Sequence, residues 1–150
     1  MKEEKEQTAI EKTLAYLNNY HEMKRYINEA VYEASQITDI QYNISAEHAY
    51  FRTIQECRVE TIILFEHLNR SLRSLREDAE AAGEGYKYEA LESIYIQGMS
   101  YADVAIKMNC GRNSPKRWCR NMVQRLSVKL FGVKALEDER IKIDLWSNSG

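Results

Sequence analysis

The stretch SYADVAIKMNCGRNSPKRWCRNMVQRLSVKLF, Ser100 to Phe131, decides how the rest of the chain is read. Ser100 stands where an N-cap is needed, just before Tyr101, Val104, Ala105 and Met108, the apolar positions of a short helix. Asn109, Cys110 and Gly111 follow as a turn, and asparagine is one of the few non-glycine residues that tolerates a left-handed backbone. Trp118, Met122, Val123, Leu126 and Leu130 then recur at spacings of three and four, which marks one face of a longer helix through about Phe131. Short helix, tight turn and longer basic helix make the order of a helix-turn-helix unit. Two such helices cross closely, so a small residue is needed midway along the first, and Ala105 stands there.

The opposite face of the longer helix would carry Arg112, Asn113, Ser114, Lys116, Arg117, Arg120, Asn121 and Gln124. Arginine and lysine suit guanine edges and phosphates, while asparagine and glutamine can pair with adenine. With Arg125, and with Ser100 and Tyr101 at the start of the first helix, these form the candidate DNA-binding set. Pro115, the single proline of the chain, leaves the start of the helix open. A start at Arg112 puts Pro115 in the first turn, where it removes a hydrogen bond. A start at Pro115 makes residues 112–114 an extended lead-in, with Ser114 and Pro115 as an N-cap and first-turn pair.

Charge supports the same face. The 150 residues sum to −2, yet residues 104–136 contain no acid and eight bases: Lys107, Arg112, Lys116, Arg117, Arg120, Arg125, Lys129 and Lys134. Residues 1–103 carry 19 acids against 11 bases, and 137–150 carry four against two. An acid-free segment in so acidic a chain has the pattern of an electrostatic footprint for a polyanion. The competing reading is an ordinary solvated basic face.

Upstream, Ile10, Leu14, Leu17, Ile27 and Val31 predict one amphipathic helix from Glu4 to about Ser35, interrupted at His21 and Lys24. The polar interval Gln36 to Ser45 breaks it, and Ser45 is the candidate cap of the next helix. Ile54, Thr61, Phe65, Leu68, Leu72 and Leu75, widened by Ile62, Ile63 and Leu64, predict a second helix from Ala46 to about Ala82, roughly 55 Å long at 1.5 Å per residue. Gly83 and Gly85 stop it. From Glu89, Leu91, Ile94 and Tyr95 give a further helix, ended by Gly98. The expected fold is therefore all-α, a long N-terminal helical hairpin followed by a C-terminal helix-turn-helix domain. Residues 1–80 would serve as a dimerisation or spacer region, 81–87 as a linker, 88–136 as the DNA-binding domain and 137–150 as a tail.

Other chemistries find little support. Cys57, Cys110 and Cys119 are odd in number and scattered, and no CxxC or HxxxH pairing occurs, so packing is favoured over metal. No phosphate-binding glycine loop or nucleophile motif is present, and no enzymatic activity, metal or cofactor is expected. No apolar run approaches the roughly 18 residues of a membrane span. The charged start MKEEKEQTAIEK lacks the apolar core of a signal peptide, so a cytoplasmic, membrane-free protein is expected.

Taken whole, YEALESIYIQGMSYADVAIKMNCGRNSPKRWCRNMVQRLSVKLFGV, Tyr88 to Val133, resembles the sigma-70 region-4-like helix-turn-helix of small phage regulators. It is most similar to the ArpU family of phage transcriptional regulators, with RinA-like activators as neighbours. In that resemblance Ala105 and Asn109 match the packing and turn positions, and the recognition helix runs through Arg112 to Arg125. Relatives commonly carry a serine cap at the position of Gly111 and a β-branched residue at that of Pro115. The resemblance implies a regulator of phage or prophage late genes that binds double-stranded DNA in the bacterial host, and the long N-terminal helices suggest a homodimer or higher homo-oligomer. RNA polymerase is a further implied partner.

Three alternatives compete with that reading. A small terminase subunit for DNA packaging would assemble as a ring, but there the DNA-binding unit usually comes first. A sigma-like factor would need a promoter-melting domain, and residues 1–80 lack its aromatic-basic signature. A protein-binding helical adaptor would dock the basic helix on an acidic partner.

Overall fold

The computed structural model describes residues 7–36 and 45–137, with side chains from 7–32 and 54–137. The interval 37–44 and the tail from 138 onward lie outside the described residues. The fold is all-α, with no strand among the described residues.

The first predicted helix is two. α1 (Ala9–Asn18) and α2 (Tyr20–Gln36) are separated by Asn19 alone. The Asn19 side-chain amide donates to the carbonyl of Ala15 at 2.7 Å and so competes with the backbone for that acceptor. Thr8 caps α1 by accepting from the Glu11 N–H at 3.2 Å. The fully buried Thr13 hydroxyl is satisfied by the Ala9 carbonyl at 2.7 Å.

α3 (Ser45–Ala81) has nearly the predicted bounds. Leu68, Leu72, Leu75 and Ala79, at spacings of four and three, bury its C-terminal half in the core. Farther back Val59, Ile62 and Ile63 are exposed. α2 lies against α3, where the Tyr20 hydroxyl donates to Asn69 at 2.7 Å and its ring meets Phe65 at 5.0 Å.

The predicted linker is a tight turn of three residues. Gly83, at φ +76°, sends its N–H to Glu80, while the Glu84 N–H reaches back to Ala79 at 2.7 Å. This paired closure caps α3, and glycine carries no side chain to strain at that φ. α4 (Gly85–Tyr95) therefore starts four residues before the predicted Glu89. Next come α5 (Tyr101–Lys107), α6 (Ser114–Phe131) and α7 (Val133–Glu137).

One core joins α1 to α6. Leu17 of α1 and Leu68, Leu72 and Leu75 of α3 pack with Leu91 of α4, Val104 of α5, and Met122, Val123 and Leu126 of α6. α1 lies along α6, with Tyr16 stacked on Phe131 at 6.1 Å and with Ile10 and Val128 both packed against the Ala9–Ala135 cluster. Residues of the predicted region 1–80 and of the predicted domain 88–136 share this core. The α1 stripe packs mainly on α6, while α2 lies against α3.

Candidate nucleic-acid interface

α5 begins as its sequence demands. The Ser100 hydroxyl accepts from the Asp103 N–H at 3.1 Å, satisfying one of the orphan donors of the first turn. Val104 and Ala105 are buried, whereas Tyr101 is exposed. Asn109 has φ +50°, the one non-glycine residue with positive φ among those described. Its N–H goes to Ile106 at 3.2 Å and the Cys110 N–H to Ala105 at 3.0 Å, so the end of α5 closes like that of α3, with asparagine replacing glycine.

Pro115 settles the start of α6. The helix begins at Ser114, which makes Pro115 its second residue, where the missing N–H would have no intrahelical partner. The proline ring is fully buried. Ser114 is not the N-cap. Asn113 holds that place without a side-chain bond, in helical rather than extended conformation at φ −95°, ψ −6°. Arg112 and Asn113 belong to a turn, in which the Ser114 N–H donates to Gly111 at 3.1 Å.

The eleven predicted residues divide by place. Arg112, Asn113, Lys116, Arg117 and Arg120 are exposed on the N-terminal half of α6 and the turn before it. Ser114, Asn121 and Gln124 are half-buried, and the Asn121 side-chain oxygen is buried without a hydrogen-bond partner. Gln124 lies beside Ile10 and Leu14 of α1. Ser100 serves as a cap and Tyr101 is exposed at the first position of α5.

Arg125 departs from the expected face. Its guanidinium lies 3.1 Å from Glu84, on the side of α6 turned to α4. Lys129 is likewise engaged with α3, at 2.6 Å from Asp78 and 2.8 Å from the Ser74 hydroxyl. Lys107 reaches the Ser93 hydroxyl at 3.1 Å and Glu89 at 3.8 Å. Acids of α3, of α4 and of the turn between them therefore hold three cations of the acid-free segment. The side chains of Arg112, Lys116, Arg117 and Arg120 have no ion-pair or hydrogen-bond partner among the described residues. What remains open is an uncompensated positive surface at one end of α6, flanked by Asn113.

The cysteines play different parts. Cys119 is buried in the core, and burial pushes its thiol up from 9.0 to about 12, so it is neutral and inert at ordinary pH. Cys110 is half-buried and Cys57 exposed. No group of three or more possible metal ligands occurs among the described residues. No helix among them is long and apolar enough to cross a membrane.

Two features lay outside the sequence reading. Trp118 meets Tyr86 of α4 edge to face at 4.9 Å, fixing the near flank of α6. On the far flank a cavity of about 380 Å³ opens between α1, the end of α4, the start of α5, and α6. Tyr95, absent from the predicted set, lines it with Tyr101, Lys116 and Arg120. No local pattern marks that cavity, because α1 forms one of its walls.

No protein-family model, curated protein or solved structure matches the chain.

Proposed function

We propose that this protein is a sequence-specific, duplex-DNA-binding transcription regulator that lays the N-terminal half of α6 in the major groove. The observation that carries this reading is the set of four partner-free cations, Arg112, Lys116, Arg117 and Arg120, on an exposed helical end with no acid of its own. A major groove about 12 Å wide admits one α-helix, and arginine reads guanine there through two parallel hydrogen bonds. Arg117 and Arg120 are the base-reading candidates, and Asn113 stands at the leading end for adenine. Arg112 and Lys116 suit flanking phosphates. The resemblance to ArpU and RinA-like regulators supplies the setting, control of phage or prophage late genes in the bacterial cytoplasm with RNA polymerase as a second partner; the N-terminal helices supply the homodimer.

Selection of bound fragments from a genomic library, followed by gel-shift titration, tests the reading. Arg117→Ala and Arg120→Ala are expected to weaken the selected site by about 1–3 kcal/mol each. Lys134→Ala, beyond the end of α6, is expected to cost much less. Equal, small losses for all three variants would remove the recognition role of α6. Selection of no preferred site would remove sequence specificity.

A further inference from the structure

We propose that the cavity between α1, α5 and α6 binds a small amphipathic anion, an aryl carboxylate with an apolar body, and that its occupancy competes with DNA. The competition rests on the DNA-binding reading above; the binding site does not.

The wall chemistry selects the ligand. Ile10 and Leu14 of α1 and Cys119 and Val123 of α6 supply apolar surface. Lys116 and Arg120, four residues apart on one face of α6, stand at the same cavity with the phenols of Tyr95 and Tyr101. No acidic residue lines it. Neither cation has a partner among the described residues, so the cavity has apolar walls and an uncompensated double positive charge. At about 380 Å³ it falls near the lower end of ligand pockets, roughly 300–1,000 Å³, which favours a small, compact guest. A carboxylate held by Lys116 and Arg120 would receive charge-assisted hydrogen bonds. Burial, then the neighbouring Tyr101, raises Tyr95 above its ordinary value, which keeps that phenol a protonated donor.

The same two cations belong to the surface assigned to DNA. A bound carboxylate neutralises them and turns their side chains toward the cavity. The ligand and the nucleic acid therefore compete for charge on α6, and the ligand acts as an inducer that releases the operator.

Calorimetric titration of 2-naphthoate into the full chain without DNA is the direct test, beside 2-naphthalenemethanol and inorganic phosphate. Saturable one-to-one binding of the naphthoate is expected, with the neutral alcohol about tenfold weaker or worse. Phosphate, lacking an apolar body, should show no saturable binding. Leu14→Trp fills the cavity and Tyr101→Phe removes one donor; each should weaken naphthoate binding while circular dichroism shows the helical content retained. If Leu14→Trp unfolds the chain, Tyr101→Phe carries the test, its hydroxyl being the only group lost. Failure of naphthoate to bind, equal binding of the alcohol or of phosphate, or unchanged affinity in the folded variants would overturn the site. In a gel shift, saturating naphthoate should weaken DNA binding of the native chain about tenfold. Naphthoate binding without any duplex binding would leave the site standing and remove the DNA reading. DNA binding without naphthoate binding would do the reverse.

Discussion

Asn109 turns the chain between α5 and α6 at φ +50°, a region where a Cβ approaches the following carbonyl. Asparagine bears this better than most residues, and a β-branched residue bears it worst. Asn109→Gly should therefore leave stability unchanged or slightly raised, whereas Asn109→Val should lose about 1–2 kcal/mol in urea denaturation. Alkaline titration gives a second test. Cys119, Tyr20, Tyr88 and Tyr95 are all raised above their ordinary values, first by burial. A raised acid favours folding in its neutral form, so the contribution is complete below the unfolded value and is lost as pH climbs through the folded one. Denaturation midpoints should be insensitive to these groups below about pH 8.5 and fall progressively above it. A midpoint that rises above that pH would contradict the burial of these four groups.

Helix ends account for much of what the elements do. α3 and α5 close with the same pair of backbone bonds, one around Gly83 and the other around Asn109. Gly83→Ala would force a Cβ into φ +76° and should cost about 1 kcal/mol, although nothing lies within 4 Å of that Cβ. Gly111 differs from Gly83, because its φ is not in the left-handed region and an added Cβ would meet only the Ser114 hydroxyl oxygen, at 3.3 Å. Gly111→Ser should accordingly be tolerated within about 0.5 kcal/mol, the Ser114 hydroxyl turning aside. Thermal melts of the two variants side by side would decide the matter; equal losses would mean that Gly111 is conformationally required.

Across the whole molecule, the acids of α3, of α4 and of the turn between them determine how much of the basic segment faces outward. Glu84, Asp78 and Glu89 engage Arg125, Lys129 and Lys107, which leaves four cations on α6 and its lead-in without partners. If four phosphates are neutralised per protomer, log K should fall against log salt with a slope of about −3.6, rather than the about −7 expected from all eight bases. Arg125→Ala should leave that slope unchanged and lower stability instead, by an amount denaturation can measure. A slope near −7, or a shallower slope in Arg125→Ala, would show that the internal pairs open on binding.

Local chemistry alone determined a good deal. The all-α class, the bounds of α3, the Ser100 cap, the left-handed turn at Asn109 and the buried stripe of α6 all follow from residues within a turn or two of one another. Capping, propensity and periodicity act over that range, which is why they are legible in one dimension. Pro115 was ambiguous there because both helix starts are locally permitted; the observed start is neither, since α6 begins at Ser114 with Pro115 second and its ring buried. Only tertiary structure decided that α1 lies on α6, that Arg125 and Lys129 serve the interior, and that a cavity opens beside Lys116 and Arg120. An apolar stripe states that it must be covered, and a cation that it prefers an anion. Neither states which partner, since that depends on surfaces brought together from opposite ends of the chain.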